Sequence, residues 1–167
     1  MTRTDTPPAW DERTQLTTFL RYVRATARAK CEELSDEDAV KAILPGSPLM
    51  TMSGLISHLR WVEYYWFRVV FLGEPDEGPW TEEDPDREMR IAVDIPLSRL
   101  LDEYAADSAR HDELVAAHDL DTKAQVKRGD GDPVDLRWIL LHLIEETARH
   151  NGHLDILREL IDGRTGD

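Results

Sequence analysis

Hydrophobic residues recur every three or four positions along four long segments of the chain, and stretches rich in Pro, Gly and Asp separate these segments. The segments cover about residues 10–34, 53–72, 96–117 and 133–162. This spacing places the apolar side chains on one face of an α-helix. No segment shows the strict alternation typical of a half-buried strand. The pattern therefore predicts four amphipathic helices.

Local residues indicate where these helices begin and end. Pro96 suits the first turn of the third helix, and Gly73 and Gly163 are expected to stop the second and fourth. Ser35, followed by three acids, predicts the N-cap of a short additional helix. The connection over about residues 74–94 is long for a small domain, which is typical of a functional or disordered loop.

Helices of this length with one apolar face each favour an all-α fold, a four-helix bundle, over any sheet-containing architecture. The length of 167 residues suits a single domain over residues 1–167. The long second connection is able to cross over the bundle rather than form a hairpin.

The charge balance excludes several classes of partner. With 34 acidic against 20 basic residues the net charge is −14, which argues against nucleic acid and against anionic membrane surfaces. There is no run of 18 apolar residues and no apolar leader, so we expect a cytoplasmic protein. Cys31 is the single cysteine and is expected to be structural, because only Lys30 beside it favours a thiolate.

The fourth helix carries polar residues on its apolar side. Taking His142 as the origin and about 100° per residue, Glu146 lies near 40° and His150 near 80°. His153 lies near 20°, and the apolar residues of this helix occupy roughly 60° to 120°. By the same count Glu145 points to solvent. Among the acids, Glu146 is therefore the one predicted to face inward.

A carboxylate on a core face is costly unless a metal, an arginine or a shifted pKa compensates it. Glu146 and His150 are four residues apart, a spacing that gives a metal two ligands from one helix. His58 lies at the border of the apolar face of the second helix and is the candidate third ligand. Two imidazoles and one carboxylate leave coordination positions open for water or a thiolate. An interhelical hydrogen-bond network is the alternative, and His142 and His153 are rival ligands or outer partners.

Other residues have weaker claims to chemistry. His111 and His118 lie on the inner stripe of the third helix and are expected to be structural or exposed. An aromatic cluster on the second helix is expected to form core and interface: Trp61, Tyr64, Tyr65, Trp66 and Phe67. The acids of residues 74–90 are expected to be solvated, although Trp80 among them is placed to cover a pocket. Motifs of serine hydrolases, dinucleotide enzymes and P-loop proteins are absent.

Three segments resemble the DinB-like superfamily of four-helix metalloproteins, in particular its uncharacterised actinobacterial branch. They are SGLISHLRWVEYYWFRVVFLGEP, DPDREM with Trp80 before it, and LRWILLHLIEETARHNGHLDILRELIDG, the most specific of the three. The resemblance covers nearly the whole chain after the first dozen residues.

The resemblance implies a divalent-metal site, with zinc or nickel held by one histidine of the second helix and two residues four apart on a later helix. This pattern carries over to His58, Glu146 and His150. Glu146, where many relatives have histidine, is similar to the mycothiol-dependent maleylpyruvate isomerase variant. Relatives commonly have glutamine at His153, so no role is carried over to it. The family's known activities use mycothiol or bacillithiol in S-transferase or isomerase reactions, and homodimers are expected.

Three hypotheses follow. The leading one is a metal-dependent S-transferase that joins a small-molecule thiol such as mycothiol to an electrophile. The second is a stress-associated bundle that binds a metal or ligand without turnover. The third is a purely structural bundle in which Glu146 pairs with an arginine such as Arg24 or Arg60.

Overall fold

The computed structural model describes residues 3–166 and is built from helices, which confirms the all-α prediction. The α-helices are α1 (Glu12–Ala29), α2 (Asp36–Ala39), α3 (Met52–Tyr64), α4 (Arg87–Arg90), α5 (Leu97–Ala117) and α6 (Leu136–Asp162). The predicted cap at Ser35 is present, since its side chain accepts a hydrogen bond from the backbone N–H of Asp38 in α2. None of the described helices is long and apolar enough to cross a membrane.

The two helices that carry the candidate site begin at polar caps. The Thr51 hydroxyl accepts a hydrogen bond from Gly54 N at 2.9 Å at the start of α3. The Asp135 carboxylate accepts one from Trp138 N at 2.9 Å at the start of α6. Both bonds satisfy N–H groups that have no partner inside their helix. Gly163 ends α6 with φ of 80°, as predicted.

The second predicted helix is not uniform. From Tyr65 to Phe71 the chain continues as a π-helix, before Gly73 turns it with φ of 72°. A π-helical turn widens the helix and is frequent at functional sites. Apolar spacing does not distinguish it from an α-helix, and the sequence therefore predicts a continuous helix here.

The long connection is partly helical, which corrects the prediction of a loop over about residues 74–94. It contains α4 and a 3₁₀ segment, Ile91–Asp94. Helices of four residues are too short to show an apolar period, so the sequence pattern does not reveal them.

The long helices form a four-helix bundle. α1 lies along α6, α3 lies along α5, and α3 also contacts α6. Parallel neighbours need a connection that returns the chain to the starting end. α3 and α5 run in the same direction, because each begins in the apolar core that contains Leu55 and Leu100 and leads to the core that contains Phe67 and Val115. The segment with α4 therefore returns the chain to the end of the bundle at which α3 begins.

Two apolar cores fill the bundle, one toward each end. Members of the first include Ala27, Leu55, Leu59, Leu100 and Leu154. Members of the second include Val23, Phe67, Val115, Ile139 and Leu143. Polar and charged side chains are buried between these cores, at the level of Arg24, Glu63 and Thr147. The candidate site lies beside this polar layer.

Candidate metal centre

The structure brings His58, Glu146 and His150 together in the space between α3 and α6. Glu146 Oε1 is 3.4 Å from His58 Nε2 and 3.1 Å from His150 Nε2. One potential ligand atom from each residue lies within 4.8 Å of the others. The three side chains are partly buried, with 24%, 13% and 15% of their surfaces exposed for His58, Glu146 and His150. Small molecules can therefore reach the cluster from solvent.

The electrostatics of the cluster favour an ionised carboxylate. Hydrogen bonds from His150 and His58 hold the pKa of Glu146 well below its usual range, against the opposing effect of burial. Burial lowers the pKa of His58, but hydrogen bonds to Glu146 and Glu88 outweigh it and raise that pKa to about 9. Without a metal, the centre thus holds a carboxylate beside an imidazolium.

Glu88 of α4 is a further member of the site that sequence reasoning missed. His58 Nδ1 lies 3.0 Å from Glu88 Oε1, on the opposite side of the ring from Glu146. Glu88 is only 4% exposed, and Ser57 Oγ donates to its backbone carbonyl at 2.7 Å. The other carboxylate oxygen, Oε2, is buried with no hydrogen-bond partner among the described residues. The expectation that the acids of residues 74–90 are solvated is therefore wrong for Glu88.

The other two histidines of α6 have separate positions. His153 Nδ1 lies 3.2 Å from His150 Nδ1, so His153 is behind His150 rather than in the cluster. Its pKa is lowered by burial and by the charge of His150. His142 stacks on Trp138 at a ring distance of 5.1 Å and meets Trp66 edge-on, away from the cluster. A ligand role for His142 therefore has no support in the geometry.

An aromatic pocket of about 230 Å³ adjoins the cluster. His58 and Glu88 are among the residues that line it, and its aromatic walls are Trp61, Tyr65, Trp66 and Trp80. Trp80 comes from the long connection, and its indole N–H donates to Asp76 Oδ2 at 3.0 Å. Trp80 therefore lines a pocket, whereas the sequence predicted that it covers one.

A second polar cluster lies in the polar layer between the two cores, around Glu63 of α3. Arg24 donates to both carboxylate oxygens of Glu63 at 2.7 and 2.6 Å. Tyr104 donates to Glu63 at 3.0 Å, and His111 Nδ1 is 3.1 Å from it. Burial raises the pKa of Glu63, but Arg24 and His111 outweigh this effect and lower it to about 2. His111 is thus structural, one of the two roles expected for it.

These contacts correct two expectations about the acids. Arg24 pairs with Glu63 and Asp112, and Arg60 pairs with Glu103 and Asp107, so neither arginine pairs with Glu146. Glu146 does pair with an arginine of its own helix, since Arg149 Nη1 lies 3.5 Å from Glu146 Oε2. Glu146 is also not the sole inward-facing acid.

Both missed acids carried some signal in the sequence. Counted from His58 at about 100° per residue, Glu63 falls near 140°, between the apolar positions Ile56 and Val70, so a helical wheel could have found it. Glu88 lies in a four-residue helix with no usable period. Its one sequence signal is that it lies in the segment DPDREM, which contributes to the family resemblance.

Cys31 and His118 both contact other parts of the fold and lie outside the cluster. Cys31 is buried, and burial raises the pKa of its thiol to about 12. Its predicted structural role fits this environment, because a thiol with so high a pKa is a poor nucleophile. His118 Nδ1 lies 2.8 Å from the carbonyl oxygen of Leu114, and its ring packs edge-on against Phe71.

Comparison with known proteins shows the family of this chain and agrees with its fold. The family model described as Mycothiol-S-transferase matches residues 15–163, and the chain belongs to this family, which is part of the DinB-like superfamily. Curated proteins include no significant match. A crystal structure titled as the conserved protein of a locus from Enterococcus faecalis is similar in fold, with a TM-score of 0.66 and 16% sequence identity. The alignment covers 93% of this chain and 100% of that one.

Proposed function

We propose that this protein is a divalent-metal-dependent thiol S-transferase that joins a mycothiol-type thiol to a small electrophile. Its metal, zinc or nickel, would be held by His58, Glu146 and His150. The observation that carries the proposal is the convergence of these three donors from α3 and α6 in a chain of the Mycothiol-S-transferase family.

The donor set fits such an ion. Zinc bonds of roughly 2.1 Å in tetrahedral geometry place ligand atoms about 3.4 Å apart. The distances from Glu146 Oε1 to the two imidazole Nε2 atoms, 3.4 and 3.1 Å, agree with that spacing. Three protein ligands also leave a position open, as catalytic zinc sites do.

The surrounding residues fix the two imidazoles in a ligating orientation. Glu88 accepts the Nδ1 proton of His58, so a metal would displace the Nε2 proton, and the lone pair freed there is directed at the cluster. His153 Nδ1 is positioned to accept the Nδ1 proton of His150 in the same way. A bound divalent cation would favour the thiolate form of a thiol beside it, and a thiolate is the nucleophile in S-transfer. Cys31 does not supply the nucleophile, because it is buried with a raised pKa.

The compartment follows from the same chemistry. A thiol cosubstrate must stay reduced, as it does in the cytosol. The proposal therefore places the protein in the cytoplasm.

Metal analysis of protein purified without chelator tests the site. We expect close to one zinc or nickel per wild-type chain and a loss of most of it in His58→Ala. His142→Ala is the matched control, since this histidine lies outside the cluster. Equal metal content in wild type and His58→Ala would refute the ligand assignment.

A conjugation assay then tests the activity. Mycothiol is mixed with a simple electrophile, and the thioether is quantified with the metal-loaded and the metal-free protein. We expect turnover only with the loaded protein. A protein that binds metal stoichiometrically but accelerates no conjugation with mycothiol or bacillithiol would instead support the non-catalytic metal-binding function.

A further inference from the structure

We infer that the aromatic pocket beside His58 binds the electrophile, and that this electrophile is a neutral molecule with a flat apolar group. The inference rests on the proposed function and adds the substrate class. It depends on the size, the walls and the charges of the pocket formed by Trp61, Tyr65, Trp66 and Trp80.

The position and volume of the pocket suit a small reactant. His58 and Glu88 are among the residues that line it, so a molecule in it lies next to one candidate metal ligand and its hydrogen-bond partner. Its volume of about 230 Å³ is below the roughly 300–1,000 Å³ of pockets for drug-sized ligands. A cavity of about 150 Å³ is enough for benzene. One substituted aromatic ring therefore fits in the pocket, whereas a whole molecule of mycothiol, which is much larger than one ring, does not.

The walls favour a flat group. The ring of Trp80 lies 6.0 Å from those of Trp61 and Tyr65, at interplanar angles of 80° and 78°. Such edge-to-face pairs hold the rings at steep angles to one another, and a planar guest can stack on one ring while its edge meets another. The hydrogen bond to Asp76 fixes Trp80 before a ligand arrives.

Charges around the pocket disfavour ionic guests. With a divalent ion bound, the carboxylates of Glu88 and Glu146 offset its two positive charges, so an anion finds no net attraction there. Arginines already lie over two of the walls, with Arg128 5.3 Å from the Tyr65 ring and Arg60 5.0 Å from the Trp61 ring. These guanidinium groups oppose a second cation, and a neutral guest meets no such repulsion.

The reaction assigned to the pocket is a substitution. The thiolate sulfur forms a bond to the electrophilic carbon while the bond from that carbon to its leaving group breaks. The leaving group departs with the bonding electrons, as chloride does from an α-chloroketone. The proton of the thiol passes to solvent.

Three α-chloroketones separate the features of the guest. Phenacyl chloride carries a neutral ring, chloroacetone has the same reactive carbon without the ring, and 4-carboxyphenacyl chloride adds a negative charge. For each chloroketone, kcat/KM is divided by the rate constant of its uncatalysed reaction with mycothiol, and these ratios are compared. We expect a preference of about tenfold or more for phenacyl chloride over both others.

Variants locate that preference. Trp80→Ala should reduce the preference for phenacyl chloride over chloroacetone about tenfold, and Trp10→Ala, at an exposed tryptophan outside the pocket, should leave this preference unaltered. An unchanged preference in Trp80→Ala would overturn the inference while leaving the S-transferase function intact. A raised KM for the thiol, with the preference unchanged, would also overturn it, because the pocket would then serve the thiol.

A binding measurement keeps the two proposals distinguishable. Acetophenone has the flat group of phenacyl chloride but no leaving group, and its affinity can be measured by calorimetry without turnover. We expect Trp80→Ala to weaken acetophenone binding about tenfold relative to Trp10→Ala. If no chloroketone reacts but acetophenone binds in this way, the proposed activity fails and the pocket assignment stands. If acetophenone binds equally to both variants, the pocket assignment fails.

Discussion

At the residue scale, the hydrogen bond from His58 to Glu88 is the contact with the clearest consequence for metal affinity. Outer partners of ligating histidines fix the ring and its tautomer, and their loss typically costs 10–100-fold in affinity. We predict that Glu88→Ala weakens zinc binding by about that factor. Glu88→Gln should weaken it less, because its amide oxygen still accepts from Nδ1. Competition with a chromophoric chelator at pH 7 measures both.

Glu83→Gln serves as the control for this prediction, since Glu83 is an exposed acid of the same connection and has the same charge. Its zinc affinity should match that of wild type. Equal affinities for wild type and Glu88→Ala would show that Glu88 does not position His58.

Glu63 leads to a prediction about acid stability. Its folded pKa of about 2 is below its ordinary value of 4.5, so its ionisation stabilises the fold above about pH 4.5. This stabilisation is lost as the pH falls through about 2. We predict that Glu63→Gln lowers the free energy of unfolding by about 3 kcal/mol at pH 7, because Arg24 loses its buried partner.

Urea unfolding at several pH values checks the sign of this effect. The difference between wild type and Glu63→Gln should be largest near neutral pH and shrink between pH 4.5 and 2. Glu145 forms an exposed ion pair with Arg149 within α6. Glu145→Gln should therefore change the free energy of unfolding by less than about 0.5 kcal/mol at any of these pH values. A constant difference across the range would mean that Glu63 does not titrate as described.

The residues themselves show how far sequence reasoning reaches. The inward position of Glu146 and His150 could be predicted because the period of a 27-residue helix fixes the direction of their side chains. His58 could be predicted as their partner from the apolar face of α3. The burial of Glu88 could not be predicted from the local pattern. It depends on how the connection that contains α4 packs against α3, where Ser57 donates to the Glu88 carbonyl 31 positions away in the chain.

At the element scale, two glycines of the site helices have opposite roles. A Cβ at Gly54 in the first turn of α3 would lie 2.7 Å from Leu49 O and 2.9 Å from Thr51 Oγ1. A Cβ at Gly152 of α6 would meet nothing within 4 Å. Gly54 is therefore required by close packing, whereas Gly152 only reduces the helical propensity of α6.

We predict that Gly54→Ala destabilises the protein by about 1–3 kcal/mol, because the backbone beside it must shift. Gly152→Ala should stabilise it by about 0.5–1 kcal/mol, since alanine has the better helix propensity. Thermal or urea unfolding of the two variants against wild type measures both. Destabilisation by Gly152→Ala would show that the outer face of α6 is covered by another molecule.

The long elements and the short ones differ in predictability for one physical reason. α1, α5 and α6 are long enough for their apolar period to appear in the sequence, and their predicted centres agree with the structure. The π-helical segment Tyr65–Phe71 and α4 depend on tertiary packing, which a local pattern does not report. These two elements are also the ones that supply Tyr65, Trp66 and Glu88 to the site.

At the scale of the whole molecule, the candidate ligands are far apart in the chain and meet only after folding. His58 and Glu146 are separated by 88 positions. A metal that binds the folded chain and not the unfolded one must raise stability. We predict that free zinc at about 100 times its dissociation constant raises the free energy of unfolding by about 2.7 kcal/mol.

Urea unfolding with and without zinc measures this increase, and His58→Ala should abolish it. His142→Ala should keep it. An equal response to zinc in wild type and His58→Ala would place the binding outside the cluster.

The exposed face of α6 is relevant to the oligomeric state of the protein. The outer face of α6 exposes large apolar side chains, namely Trp138, Leu141, Ile156 and Leu160. Exposed apolar side chains on one face of a helix give a second copy of the chain apolar surface to cover. The expected homodimer would elute in size exclusion with light scattering at twice the 19.2 kDa of one chain. A mass of one chain at micromolar concentration would contradict it.

The buried ion pair between Arg24 and Glu63 has a consequence for the axial register of the bundle. If one helix slid by a turn, about 5.4 Å, Glu63 would lose its donors and face apolar side chains. Leucine-rich contacts on either side tolerate such sliding far better, because their attraction has no direction. The polar layer thus selects one alignment of α1, α3 and α5. By holding α3 in place, it also keeps His58 level with Glu146 across the gap.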